Sequence, residues 1–162
     1  MPVLYKLHTL EEAVRAAEAL RRAERRLVMT NGCYDLLHPG HIVHLQQARD
    51  QGDALLVAMN SDRSVRELKG PNRPVYNENQ RALALSALAC VDVVLVFDDL
   101  SPLGVMAALR PEVYVKGGDY TLETLNQEER ALLESFGARI CLLPLVEDFS
   151  TTNIINKLQC QG

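Results

Sequence analysis

Residues 27–42 read Leu-Val-Met-Thr-Asn-Gly-Cys-Tyr-Asp-Leu-Leu-His-Pro-Gly-His-Ile, and this stretch holds the densest set of groups able to do chemistry. His38 and His41 are three apart, so one helical turn can set both imidazoles on the same side. Gly32 and Gly40 carry no Cβ and let a ligand come close to the main chain. The apolar run before Asn31 suits a buried strand, and a helical pattern opens near Gly40. Asn31, Gly32, Cys33, Tyr34, His38, Gly40 and His41 therefore fall on a strand-to-helix turn, where free N–H groups favour phosphate. Imidazole and peptide N–H groups together make a donor set for phosphate oxygens. The rival chemistry is zinc, because His38, His41 and His44 recur every third residue. Zinc usually takes a carboxylate or thiolate as well, and no H-E-x-x-H arrangement is present.

Further polar residues follow other apolar runs. Asn60 and Asp62 come just after Ala54–Met59. Lys69 and Arg73 sit in a loop, 69–74, broken by two prolines. Arg81 follows in a helix, where it is either a phosphate contact or an ion-pair partner in the scaffold. Lys116, Gly117, Gly118 and Asp119 form a Gly-Gly turn directly after Val113–Val115. Ser150, Thr151 and Thr152 are good N-caps, and hydroxyls at a helix N-terminus also bind phosphate. Asp35 and Asp62 would repel phosphates unless they face sugar hydroxyls or help hold a metal; Asp35 could instead orient a motif histidine.

The elements needed to position these residues alternate along the chain. Thr9 and Glu12 form a capping box ahead of a helix over 11–25. Its basic end (Arg21, Arg22, Arg25, Arg26) suits the helix dipole and solvent. Strands are expected at 27–30, 54–59, 91–97, 113–115 and 140–143. Helices are expected at 42–51, 64–68, 77–88, 126–136 and 151–158, with a further one capped by Ser101 with Pro102 at its first position. This alternation predicts an α/β fold, a Rossmann-like doubly wound sheet of five parallel strands. The chain reads as one domain over 1–162, with 1–26 as an N-terminal helical extension. In such a sheet the loops 31–41, 60–62, 69–73, 116–120 and 147–152 share one rim, so distant residues can meet over one ligand.

The run Thr30-Asn31-Gly32-Cys33-Tyr34-Asp35-Leu36-Leu37-His38-Pro39-Gly40-His41 resembles the first motif of the cytidylyltransferase-like nucleotidylyltransferases, G-x-[FY]-D-x-x-H-x-G-H. The resemblance extends to Lys116-Gly117-Gly118-Asp119-Tyr120 and to Ser150-Thr151-Thr152-Asn153-Ile154, and is nearest the heptose 1-phosphate adenylyltransferases. It implies AMP transfer from ATP, with Mg2+, to a sugar 1-phosphate. His38, His41 and Lys69 would be catalytic. Asn31 to Tyr34, Gly40, Arg73, Arg81, Lys116 to Gly118 and Ser150 to Thr152 would bind nucleotide, and Asp35, Asn60, Asp62 and Asp119 the sugar phosphate. Asn156 departs from the Arg or Lys common in relatives. A CTP-dependent glycerol 3-phosphate cytidylyltransferase is the alternative within the class, and a noncatalytic nucleotide-binding module the alternative outside it. The resemblance also implies a possible homodimer, and a chain that stands apart from the sugar kinase to which many relatives are fused.

Composition narrows the classes. A net charge of −4 with no basic stripe argues against nucleic acid as a partner. No apolar run approaches the roughly 20 residues of a membrane span, and the first residues lack a signal-peptide layout. Cys33, Cys90, Cys141 and Cys160 are far apart, as expected of reduced thiols in a cytoplasmic protein, with Cys90 and Cys141 in the core.

Overall fold

The computed structural model describes residues 6–144, 151 and 154–155. Ser150, Thr152, Cys160 and most of the expected closing helix lie outside these residues. The described elements run β1 (Leu7–His8), α1 (Leu10–Arg22), β2 (Leu27–Gly32), α2 (Pro39–Arg49), β3 (Ala54–Asn60), α3 (Asp62–Lys69), α4 (Glu78–Ser86), β4 (Val93–Phe97), α5 (Leu103–Leu109), β5 (Val113–Gly117), α6 (Gln127–Ser135) and β6 (Arg139–Leu143).

The strands form one parallel sheet in the order β1-β4-β3-β2-β5-β6. The sheet therefore has six strands where the sequence predicts five. The extra one, Leu7–His8, pairs with Val94 and Leu95 at the edge, and two residues are too few to show a period. From β2 the chain winds outward through β3 and β4, then returns to lay β5 on the other side of β2. The crevice for a ligand thus opens between the carboxyl ends of β2 and β5. Met29 lies opposite Tyr114 in that pairing, so Asn31 and Lys116 both fall at the crevice.

Burial follows the pleat. All seven residues of β3 are buried. Leu56 and Ala58 pack with Ala13 and Ala17 of α1, Met106 and Leu109 of α5 and Leu133 of α6. Leu55, Val57 and Met59 face the other way, onto Leu45 and Ala48 of α2 and Ala82 and Leu85 of α4. A strand buried on both faces needs this unbroken apolar run.

The helix starts follow local chemistry. Thr9 and Glu12 form the capping box, and Asn77 and Gln80 form a second. Two expectations are corrected. Ser101 does not cap α5; the helix opens at Leu103 after Pro102, and the Ser101 hydroxyl donates to Glu129 Oε1 at 3.1 Å. Lys69 is the last residue of α3 rather than part of a loop; Ser61 caps the start of that helix, and its end comes at Gly70, whose φ of 101° a helix cannot continue through. Cys90 is buried, whereas Cys141 on the short β6 is only partly so.

Candidate active site

A cleft of about 470 Å³ lies over the carboxyl ends of β2, β3 and β5. Its walls come from five stretches of chain: Asn31–Asp35 with His38, Gly40, His41 and His44; Asn60; Lys69 and Arg73; Lys116, Gly117 and Tyr120; and Pro144 with Thr151. Among the described residues of the lining, three cations face one carboxylate, Asp35, which favours an anion.

His38 and His41 sit at the start of α2. His38 is in the cap position, and its carbonyl accepts from His41 N at 2.9 Å and Ile42 N at 3.2 Å. The two rings stack with centroids 3.8 Å apart and planes inclined by 25°. The buried Tyr34 ring leans on His41 at 5.3 Å. Burial lowers the pKa of His38 and of His44. His41 is pushed down to about 4 by burial first and by His38 and His44 next, with the Leu36 carbonyl opposing. All three imidazoles are therefore uncharged at neutral pH, and each still carries one N–H to donate.

His44 Nε2 lies 3.3 Å from Thr30 Oγ1, and its ring packs against Gly117. A Cβ on Gly117 would come within 2.7 Å of that ring, so close approach demands glycine there. No three His, Cys, Asp or Glu side chains among the described residues converge as metal ligands do. Cys33 is no ready nucleophile, since burial pushes its thiol up; it donates to Asn60 Oδ1 at 3.9 Å.

The basic loop is anchored by Asp35. Its carboxylate is 1% exposed; Oδ2 accepts from Arg73 Nε, and Oδ1 from Val75 N at 2.6 Å and Tyr76 N at 3.3 Å. Both oxygens, expected to read sugar hydroxyls or orient a histidine, are engaged by this loop. Lys116 Nζ lies at the floor, 3.3 Å from Asn31 Oδ1 and from Tyr114 Oη.

Other expected site residues stand elsewhere. Arg81 is 1% exposed and does not line the cleft. Its guanidinium donates to the carbonyls of Tyr76, Cys33 and Asn60 and to Asp62 Oδ1. Asp62 is thus an ion-pair partner of Arg81 and also lies outside the lining, as do Gly118 and Asp119. Asn60 lines the cleft, but its Nδ2 donates to Ser64 Oγ at 2.8 Å. Thr151 reaches it and donates to the Leu36 carbonyl at 3.5 Å. Tyr120 lines the cleft at the end of the Lys116–Tyr120 run, whereas His44, which lies outside the first motif, and Pro144 line it without having been assigned to it from the sequence.

The model of the cytidylyltransferase-like family matches residues 29–157. The chain belongs to the cytidylyltransferase-like nucleotidyltransferases. Two curated relatives, each named bifunctional protein HldE, accompany this family match. The one from Syntrophotalea carbinolica is 50% identical over 150 residues, 92% of this chain and 30% of the relative. The one from Koribacter versatilis is 49% identical over 152 residues, 94% of this chain and 31% of the relative. The chain spans about a third of the length of these relatives. Two solved structures share the fold. A lipopolysaccharide core biosynthesis protein from Thermoplasma volcanium has a TM-score of 0.61 and 24% identity, covering 75% of this chain and 97% of that one. A pantoate-beta-alanine ligase from Francisella tularensis has a TM-score of 0.61 and 13% identity, covering 94% and 76%. No helix among the described residues of this family member is long and apolar enough to cross a membrane.

Proposed function

We propose that this nucleotidyltransferase moves AMP from MgATP to a sugar 1-phosphate, with a heptose 1-phosphate as acceptor, releasing pyrophosphate and an ADP-sugar. The observation that carries the reading is the stacked, uncharged His38–His41 pair in a cleft whose cations are Lys69, Arg73 and Lys116. The nucleotide arrives with its magnesium. The acids of the described residues offer no built cation site, because Asp35, the carboxylate in the lining, is engaged by Arg73, Val75 and Tyr76.

A phosphate oxygen of the acceptor attacks the α-phosphorus, and the bond from that phosphorus to the pyrophosphate oxygen breaks. The attacking oxygen is already anionic at neutral pH, so no general base is needed. What remains is alignment and stabilisation of charge on the α-phosphoryl oxygens and the leaving group. Neutral imidazole N–H groups suit the first task, since they donate without titrating. Lys69 and Arg73 suit the second. The choice of ATP and heptose follows the Lys116–Tyr120 run and the resemblance it carries.

Pyrophosphate release is to be measured for ATP and CTP against heptose 1-phosphates, hexose 1-phosphates and glycerol 3-phosphate. The highest kcat/KM is expected for ATP with a heptose 1-phosphate. Preference for CTP with glycerol 3-phosphate would replace this reading by the cytidylyltransferase one. Nucleotide binding without turnover on any acceptor would mean a binding module.

A further inference from the structure

Below the cleft floor runs a buried polar chain that the transfer step does not itself use. It begins at Glu129 of α6, which is 5% exposed although its neighbours in sequence are polar. Ser101 Oγ donates to Glu129 Oε1, and Glu129 Oε2 lies 4.0 Å from Lys116 Nζ. The ammonium donates to Tyr114 Oη and to Asn31 Oδ1, each at 3.3 Å. Tyr114 Oη donates to the same Asn31 oxygen at 2.6 Å.

Two donors converging on one amide oxygen settle which way the Asn31 carboxamide points. The flipped arrangement would set its NH2 against an ammonium, which has only protons to offer. Asn31 lines the cleft, so among the described residues its NH2 is left for whatever binds there. The arrangement holds only while Lys116 is charged and in place. Burial works against an ammonium, and Glu129 is the charge that opposes this most. A buried pair of this kind adds little net stability over apolar packing, so its main consequence is where it puts the ammonium.

We propose that Glu129 is a positioning residue of the phosphate site: by holding Lys116, and through it Tyr114, it fixes the Asn31 carboxamide so that the amide NH2 and the ammonium are presented together to phosphate oxygens. This rests on the reading of the cleft as a phosphate-transfer site. Among the described residues, the groups facing Lys116 are Asn31 on β2, Tyr114 on its own strand, Glu129 on α6, the Tyr120 ring at 5.6 Å and the Cys33 thiol, which would favour the ammonium only if it ionised.

The test is an NMR titration of isotope-labelled lysine side chains in the full chain, with Lys116→Ala used to assign the Lys116 signal. Glu129→Gln is expected to lower the Lys116 midpoint by about one pH unit or more, the scale of losing an adjacent opposite charge. Ser101→Ala should lower it less, and Glu129→Asp should recover most of the shift. In the same Glu129→Gln protein, KM for ATP should rise roughly tenfold and the alkaline limb of the rate profile should move to lower pH. An unmoved midpoint with unchanged KM overturns the proposal. So does a uniform loss of rate at every pH with the midpoint in place, which would make Glu129 a packing residue. If Glu129→Gln does not fold, the Ser101→Ala midpoint decides alone. The titration needs no turnover, so a wild-type chain that transfers no AMP would sink the proposed reaction without touching this result.

Discussion

Arg81 and Asp62 pair behind the cleft, with Nη2 2.8 Å from Oδ1, the Arg81 side chain fully enclosed and Asp62 partly exposed. The same guanidinium also holds the carbonyls of Cys33 and Asn60, the residues at the ends of β2 and β3, and of Tyr76 just before α4. One side chain thus ties together the two strand ends and the basic loop that face the substrate. Its importance to the site is architectural: it sets where Cys33, Asn60 and the 73–76 loop stand.

Arg81→Ala should therefore act through folding. Removing one partner of a buried charged network leaves Asp62 and three carbonyls without their donor, a loss of about 3–5 kcal/mol. Urea denaturation should show it as a lower midpoint with an unchanged slope. Arg81→Lys should rescue little, because an ammonium cannot span the four acceptors that the planar fork reaches. Near-wild-type stability in either variant would contradict this account.

His41→Ala tests the chemistry instead. It removes one preorganised N–H donor from the proposed transfer site. Turnover should fall by on the order of a hundredfold or more, the scale for losing such a donor. Stopped-flow pyrophosphate release separates this from weaker binding. A variant with near-normal release would remove His41 from the reacting centre.

Much of this was readable along the chain, and the exceptions have physical causes. Alternating apolar runs and helical stretches indicated a parallel sheet, and with it a rim where distant loops meet. The first motif and the Lys116–Gly117 turn do meet there. Arg81 did not reveal its direction, because the pattern of a half-buried helix does not say whether a long side chain runs outward or back beneath the loop. Lys69 falls one residue inside α3 rather than in the loop after it, because the left-handed Gly70 that ends the helix can be told from an ordinary loop glycine only by its backbone. Glu129 stands in a Gln-Glu-Glu-Arg run that reads as a solvated helix face. Its burial follows from Ser101 and Lys116, 28 and 13 residues away, which only the fold brings close.

Gly117 and Gly52 offer a matched pair of alanine substitutions. At Gly117 the new methyl would meet the His44 ring at 2.7 Å, and at Gly52 it would meet Val28 Cγ2 at 2.6 Å and the Arg26 carbonyl at 2.9 Å. Both should lower stability by about 1–3 kcal/mol, as overpacking does. Gly117→Ala alone should also raise KM for ATP, since it displaces a ring of the cleft wall. Calorimetry and steady-state kinetics on the two variants give the comparison; a KM raised as much by Gly52→Ala would deny the site any special dependence on Gly117.

Asp35→Asn should loosen the basic loop. The neutral amide keeps one acceptor for the Val75 and Tyr76 amides but loses the charge facing Arg73. Hydrogen exchange over residues 73–76 should speed up, and KM for ATP should rise more than kcat falls. Unchanged exchange in that segment would show that the loop is held by other contacts.

The histidines also set a pH dependence of stability. His41 titrates at about 4 in the folded chain and at about 6.5 when unfolded. Above pH 6.5 both states are neutral and the residue contributes nothing to the slope. As pH falls from 6.5 to 4, the unfolded chain takes up a proton that the folded chain refuses, and stability drops by about 1.4 kcal/mol per pH unit for this residue. Below 4 the full loss has been incurred. His38 and His44 are lowered too, so they act in the same direction. Carboxylates titrate across the same range, so the informative quantity is the difference between wild type and His41→Asn, which has no proton to take up. Urea midpoints from pH 7 to 4 should fall more steeply for wild type, by nearly one proton at the steepest point. A saturating ATP analogue should flatten the wild-type curve, because phosphate oxygens beside the ring favour its charged form. Parallel curves for the two proteins would mean that His41 is already solvated enough to titrate normally when folded.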